Sequence, residues 1–241
     1  MIRTEHLGKT FGAKAAVDDL SLTVARGEFM CVLGPNGAGK TTTIKMLTGL
    51  LRPTSGRALI GGFDITSQPE EAKRLLGYVP DQPFLYERLT AVELLRFVAG
   101  LYELGGDGLG DRIASVLAEF ELTDVAHQLI GDFSHGMRQK LAFAATFLHE
   151  PKVLVVDEPW VGLDPKSIRA VKTDLQRRAA EGLTVFMSTH TLSIAEEVAD
   201  RIAIVHRGRL CALGTVAQIK ALAARPGSLE DVFLDLTRDE P

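Results

Sequence analysis

The chain has 241 residues, 46% of them hydrophobic and 24% charged, which excludes bulk disorder and allows one large α/β domain or two small ones. A net charge of -4 gives no support to a nucleic-acid-binding face. Two cysteines in no metal-ligand spacing, no secretory leader and no apolar run approaching about 18 residues lead to the expectation of a cytosolic protein that serves a membrane only through a partner.

In chain order, the first part reads as β structure with turns. Val17–Val24 and Glu28–Leu33 read as strands separated by Ala25-Arg26-Gly27. Residues 29–33 are almost continuously apolar, the pattern of a strand buried on both faces of a parallel sheet, and Cys31 within them reads as a small buried hydrophobe. A glycine-rich loop follows, then a helix from about Lys40 with Ile44, Leu47 and Leu51 on one stripe, stopped before Pro53. Arg57–Ile60 and Gly77–Val79 read as short strands. Thr90-Ala91-Val92-Glu93 fits a capping box that opens a helical block, broken at Gly105–Gly108 and resuming to about Glu121.

Another helix starts near Ser134 and ends before Pro151, with Met137, Leu141, Ala144 or Ala145, and Leu148 facing a core. Val153–Val156 and Val185–Met187 are further core strands, and Asp164-Pro165 is an N-cap followed by proline at the first helical position. Ile202–Val205 and Leu210–Leu213 suggest a hairpin around Arg207-Gly208, and Ser228–Asp231 caps a last helix. Strands alternating with helices predict a parallel α/β core, with the mostly helical stretch from about 84 to 150 as a lobe of its own.

Gly34, Gly39, Lys40 and Thr41 satisfy Gly-x-x-x-x-Gly-Lys-Ser/Thr between a strand and a helix. Such a loop, here Gly34, Pro35, Asn36, Gly37, Ala38, Gly39, Lys40, Thr41 and Thr42, turns backbone N–H groups toward phosphates while the helix presents its positive end. Lys40 would neutralise the β- and γ-phosphates of ATP, and the Thr41 hydroxyl would ligate Mg²⁺. The apolar strand 153–156 ends in two acids: Asp157 would hold Mg²⁺, through water, and Glu158 would deprotonate the attacking water.

With these motifs in order, nearly the whole chain resembles the ATP-binding cassette (ABC) ATPases. Pro159-Trp160-Val161-Gly162-Leu163-Asp164-Pro165 resembles the family's D-loop, which contacts the partner subunit. His190, in Ser188-Thr189-His190, resembles the switch histidine at the γ-phosphate. Phe133-Ser134-His135-Gly136-Met137-Arg138-Gln139 stands where the signature loop belongs, and Phe11 where an aromatic ring stacks on adenine.

The resemblance implies a single ABC domain over 1–241. Its fold would be a P-loop NTPase (RecA-like) parallel-sheet core with an N-terminal antiparallel β subdomain (1–83 and 151–241) and a helical subdomain (84–150). It implies head-to-tail pairing with a second cassette, homomeric or heteromeric, so that Ser134 and Gly136 of one chain reach the γ-phosphate on the other.

Two stretches depart from the family pattern. His135 and Met137 replace the usual Gly and Gln of the signature, and His135 either donates to a phosphate or faces solvent. After Gly77-Tyr78-Val79-Pro80 the metal-facing Q-loop position holds Asp81, with Gln82 one place later, and either is a candidate for the metal or the attacking water.

The resemblance is to free-standing cassettes of ABC-2-type exporters. It implies an integral membrane permease as partner, with the cassette peripheral on the cytoplasmic face. Phe84, Leu85, Tyr86 and Leu89 then either contact the permease or pack within the lobe. A soluble ABC ATPase acting on nucleic acid or ribosomes is the rival class. It would bring coiled coils, zinc modules or a second cassette in the chain, and none is present in this sequence. A nucleotide kinase would share Lys40 and Thr41 but not the later motifs.

Overall fold

The computed structural model describes residues 1–160, 163–222 and 228–238. Strands β1 (Ile2–Phe11), β2 (Lys14–Val24), β4 (Ser55–Ile60) and β5 (Phe63–Asp64) form an antiparallel sheet in the order β2-β1-β4-β5. A six-stranded sheet contains β3 (Phe29–Leu33), β6 (Leu76–Val79), β7 (Val153–Asp157), β8 (Thr184–Thr189), β9 (Arg201–His206) and β10 (Arg209–Gly214), in the order β10-β9-β3-β8-β7-β6. All of its pairings are parallel except the β9–β10 hairpin at one edge.

The helices are α1 (Lys40–Leu47), α2 (Pro69–Arg74), α3 (Ala91–Leu101), α4 (Leu109–Glu119), α5 (His135–Phe147), α6 (Pro165–Ala180), α7 (Leu192–Val198), α8 (Val216–Lys220) and α9 (Leu229–Leu236). No described helix is long and apolar enough to cross a membrane.

The continuous apolar strands follow from what covers the six-stranded sheet. Successive side chains of a strand point to opposite faces. Phe29, Cys31, Leu33, Leu154, Val156, Val185 and Met187 join one apolar cluster with the helices of residues 91–147. Met30, Val32, Val153, Val155 and Phe186 join a second cluster with α1 and the antiparallel sheet. Both faces are dry, so neither permits the polar alternation of a half-exposed strand.

Local chemistry sets the helix ends. The Thr90 hydroxyl accepts from Glu93 N and the Glu93 carboxylate accepts from Thr90 N, so the expected capping box forms. Asp164 caps α6 through Lys166 N and Ser167 N, with Pro165 first in the helix. The helix after the glycine loop stops at Leu47, short of Leu51, because Gly49 takes a left-handed φ of 70°. Leu51 then packs from the following turn.

His149 closes the seam between the helical stretch and β6. Its ring stacks on Tyr102 with centroids 3.9 Å apart, and Nε2 lies 3.1 Å from the Leu76 carbonyl oxygen. Burial, aided by the Arg112 charge, holds its pKa below the ordinary histidine value against the Leu76 contact. A depressed histidine pKa stabilises the fold above the unfolded value of about 6.5, and that stability is lost as the pH falls. His149→Phe keeps an aromatic stack without the titration. Chemical denaturation at pH 7 and pH 5 should show a smaller acid-induced loss in this variant than in the wild type, and equal losses would contradict the assignment.

Candidate active site

Three parallel neighbours, β3, β8 and β7, end together, and their registers pair Leu33 with Thr189 and Asp157 with Ser188. The loop after Leu33, the acids 157–158 and His190 therefore meet at the carboxyl edge of the sheet, where open α/β sheets bind ligands.

Close approach shapes the loop. A Cβ on Gly34 would lie 2.4 Å from the Val205 carbonyl oxygen, and one on Gly39 would lie 2.5 Å from that of Ala16. Gly37 and Gly39 have φ of 82° and 103°, and Gly208 N donates to the Ala38 carbonyl at 2.9 Å. The loop is thus wedged between β2 and the β9–β10 turn. Asn36 and Gly37 are exposed, Pro35 and Thr42 half-buried, and α1 has no acidic residue in its first turn to compete for an anion.

Lys40 is buried. Its Nζ donates to the carbonyls of Gly34 at 2.7 Å and Pro35 at 3.3 Å, and lies 3.9 Å from Glu158 Oε1. Burial lowers its pKa, while Glu158 and Asp157 pull it back up. Asp157 is buried and accepts from the hydroxyls of Ser188 and Thr41. Burial, with lesser help from the charges of Asp81 and Glu158, raises its pKa against those two hydrogen bonds. Ser188 is a partner that the motif reading missed; its signal was the Ser-Thr-His run ending an apolar strand.

Glu158 has a left-handed φ of 46°, unusual outside glycine. Its N–H meets both the carbonyl and the hydroxyl of Ser188 at 3.2 Å. Its Oε2 accepts from His190 N at 3.2 Å and lies 2.9 Å from His190 Nδ1. One carboxylate therefore spans from the loop lysine to the histidine that follows β8.

Among the described residues no cluster of three or more His, Cys, Asp or Glu forms a metal cage. The Thr41 hydroxyl and the Asp157 carboxylate, hydrogen-bonded to each other, are a sparse oxygen donor set. It fits Mg²⁺, which binds through one or two carboxylates, water and substrate phosphates.

A sequence profile described as ABC transporter matches residues 17–161. The chain belongs to the ABC transporter family. This ABC cassette is 39% identical over 243 residues to the probable multidrug ABC transporter ATP-binding protein YbhF of Escherichia coli, a match covering 99% of the cassette but 42% of that relative's length. A solved ATP-binding subunit of an ABC transporter is 36% identical, with a TM-score of 0.92 over 99% of this chain and 100% of that one. A dimeric bacterial ABC transporter cassette is 26% identical, with a TM-score of 0.82 over 89% and 98%. P-loop NTPase architecture and ATP binding come with this membership.

The other expected residues are distributed around the cassette. Phe11 ends β1 at the hairpin, 52% exposed, with Lys9 Nζ 5.3 Å from its ring centroid. The charge of Asp81 reaches Asp157, whereas the described hydrogen bond of Gln82 runs from its own N–H to Asp81 Oδ1. Ser134 caps α5 by accepting from Met137 N at 3.3 Å, so its described bond stays within its own helix. Ser134 and His135 are exposed. A Cβ on Gly136 would meet the Leu163 side chain at 3.7 Å, which places Leu163 beside the start of α5. Val161 and Gly162 lie outside the described residues. Of the four apolar residues after the Q-loop, Leu85 and Leu89 pack on the core, while Phe84 and Tyr86 are 94% and 60% exposed.

The two left-handed glycines give a test of the wedge. Gly37→Ala meets no atom within 4 Å and should cost about 1 kcal/mol for its φ alone, whereas Gly39→Ala adds a backbone clash and should cost about 2–4 kcal/mol. Thermal melts should rank wild type above Gly37→Ala above Gly39→Ala, and equal melting temperatures for the two variants would refute the wedge.

Proposed function

We propose that this cassette hydrolyses ATP and drives export through a separate integral membrane permease, on the cytoplasmic face of the membrane, as one of two cassettes that close over the nucleotide. The observation that carries this reading is the Glu158 carboxylate, fixed by His190 and facing Lys40 directly after the buried Asp157.

The backbone of Gly34–Thr42 and the first turn of α1 hold the phosphates, and Phe11 supplies a stacking face for adenine. Lys40 exchanges the carbonyls of Gly34 and Pro35 for phosphate oxygens. Thr41 and Asp157, with Asp81 or Gln82 as a further candidate, would hold Mg²⁺, which would offset charge on the β- and γ-phosphates. Glu158 takes the proton of a water whose oxygen attacks the γ-phosphorus. The bond from that phosphorus to the bridging oxygen breaks, and ADP leaves with inorganic phosphate. His190 keeps the Glu158 carboxylate turned toward that water and reaches the γ-phosphate. Ser134 and Gly136, at an exposed capped helix start, contact the γ-phosphate of the other cassette.

In this proposal the cassette is one ABC domain over 1–241, with 1–83 and 151–241 as catalytic core and β subdomain and 84–150 as the helical subdomain. Similarity to a probable multidrug ABC transporter ATP-binding protein supports export. Exposed Phe84 and Tyr86, the latter with its ring centroid 5.5 Å from that of Phe97, supply apolar area for a permease segment.

Glu158→Gln keeps the shape and removes the base. Its kcat should fall by a factor on the order of 10² to 10⁴, with ATP affinity within a few-fold of wild type. Single-turnover assays and equilibrium nucleotide binding measure both, and near-normal turnover would overturn the assignment.

A further inference from the structure

The segment with the exposed aromatics and the start of α5 are sewn together. Gly131 N donates to the Glu87 carbonyl and Ile130 N to the Leu89 carbonyl, both at 2.9 Å, and Thr90 bridges Leu129. One side chain in the first turn of α5 fastens this seam. Arg138 donates through Nε to the Phe133 carbonyl at 3.2 Å, through Nη2 to the Gly131 carbonyl at 3.0 Å and through Nη1 to Glu87 Oε1 at 2.6 Å. It thereby grips the peptide just before Ser134 and, with the same planar group, the residue next to Tyr86.

We propose that Arg138 is a positioning residue that, through Glu87, couples the exposed aromatic segment 84–90 to the Ser134–Gly136 end of α5. The ion pair itself is worth little, since Glu87 is 61% exposed. Its value is geometric. A guanidinium presents donors in a fixed plane, so its three acceptors cannot shift independently. Movement of 84–90 by a docked partner therefore changes where the carbonyl before Ser134 lies, and so where the Ser134 hydroxyl and the first N–H groups of α5 point. Lysine, with a point charge on a flexible stem, would not transmit this.

The inference rests on the proposed contact of Ser134 with the γ-phosphate of a second cassette. Coupling is reciprocal, so nucleotide engagement at Ser134 must be felt in 84–90 even without a permease. Hydrogen exchange on the full chain, with and without ATP and Mg²⁺, at protein concentrations where ATPase activity is maximal, tests this. In the wild type, peptides covering 34–42 and 83–90 should both change exchange on adding nucleotide. In Arg138→Met and Glu87→Gln the 34–42 response should remain while the 83–90 response is largely lost.

Arg138→Met should also lower kcat about tenfold with KM nearly unchanged, as expected for a misplaced contact, and Arg138→Lys should recover little. Glu87→Gln keeps the backbone contacts of Arg138, so it remains informative if Arg138→Met fails to fold. A response in 83–90 that is the same in the wild type and both variants, or absent in all three, overturns the inference. If Ser134→Ala leaves kcat unchanged, the shared-site reading fails instead.

Discussion

A lysine ammonium buried against two carboxylates is the constraint on which this cassette depends. Lys40 lies behind the phosphate loop, held by the carbonyls of Gly34 and Pro35 and by the nearby charge of Glu158, while Asp157 is buried a residue away with hydroxyls as its partners. Burying such groups is costly unless they are paired, and burial here pushes the Lys40 and Asp157 pKa values in opposite directions, each toward its neutral form. A triphosphate and a divalent cation would relieve both strains at once, so binding is prepared by the unfavourable solvation of the site's own charges.

The sheet makes that arrangement possible. Parallel register brings the ends of β3, β8 and β7 to one edge, and apolar clusters on both faces keep them there. The left-handed turn at Glu158 then sends its carboxylate to His190 and Lys40 rather than to solvent. On the helical side, the Arg138–Glu87 seam ties the start of α5 to the segment bearing the exposed aromatics. These two devices sit at opposite ends of the proposed transport cycle, one at bond cleavage and one at the permease surface.

Features that depend on local chemistry were legible in the sequence. Residues 29–33 and 153–156 announce buried strands because both faces are covered, and Thr90, Asp164 and Ser228 announce caps because each bonds an N–H two or three residues on. Elements shorter than a clear period were not. Helices α2, α7 and α8 run only five to seven residues, and β1 breaks its alternation at register shifts around His6, which has a left-handed φ.

In the site, the phosphate loop and the two acids read directly, but Ser188 becomes a partner of Asp157 only through strand register, 31 residues away. The choice between contact and packing for the 84–89 apolar group also needed the fold, which divides it: Leu85 and Leu89 inward, Phe84 and Tyr86 outward.

The central claim is that each nucleotide is hydrolysed by parts of two chains, with Lys40, Asp157, Glu158 and His190 on one and Ser134 and Gly136 on the other. Steady-state ATPase rate measured against cassette concentration, at saturating ATP and Mg²⁺, addresses it most directly. The account predicts a rate that rises more steeply than linearly at low concentration and becomes linear once paired cassettes dominate. A rate strictly proportional to protein concentration throughout, from a species that stays monomeric with ATP bound, would contradict it.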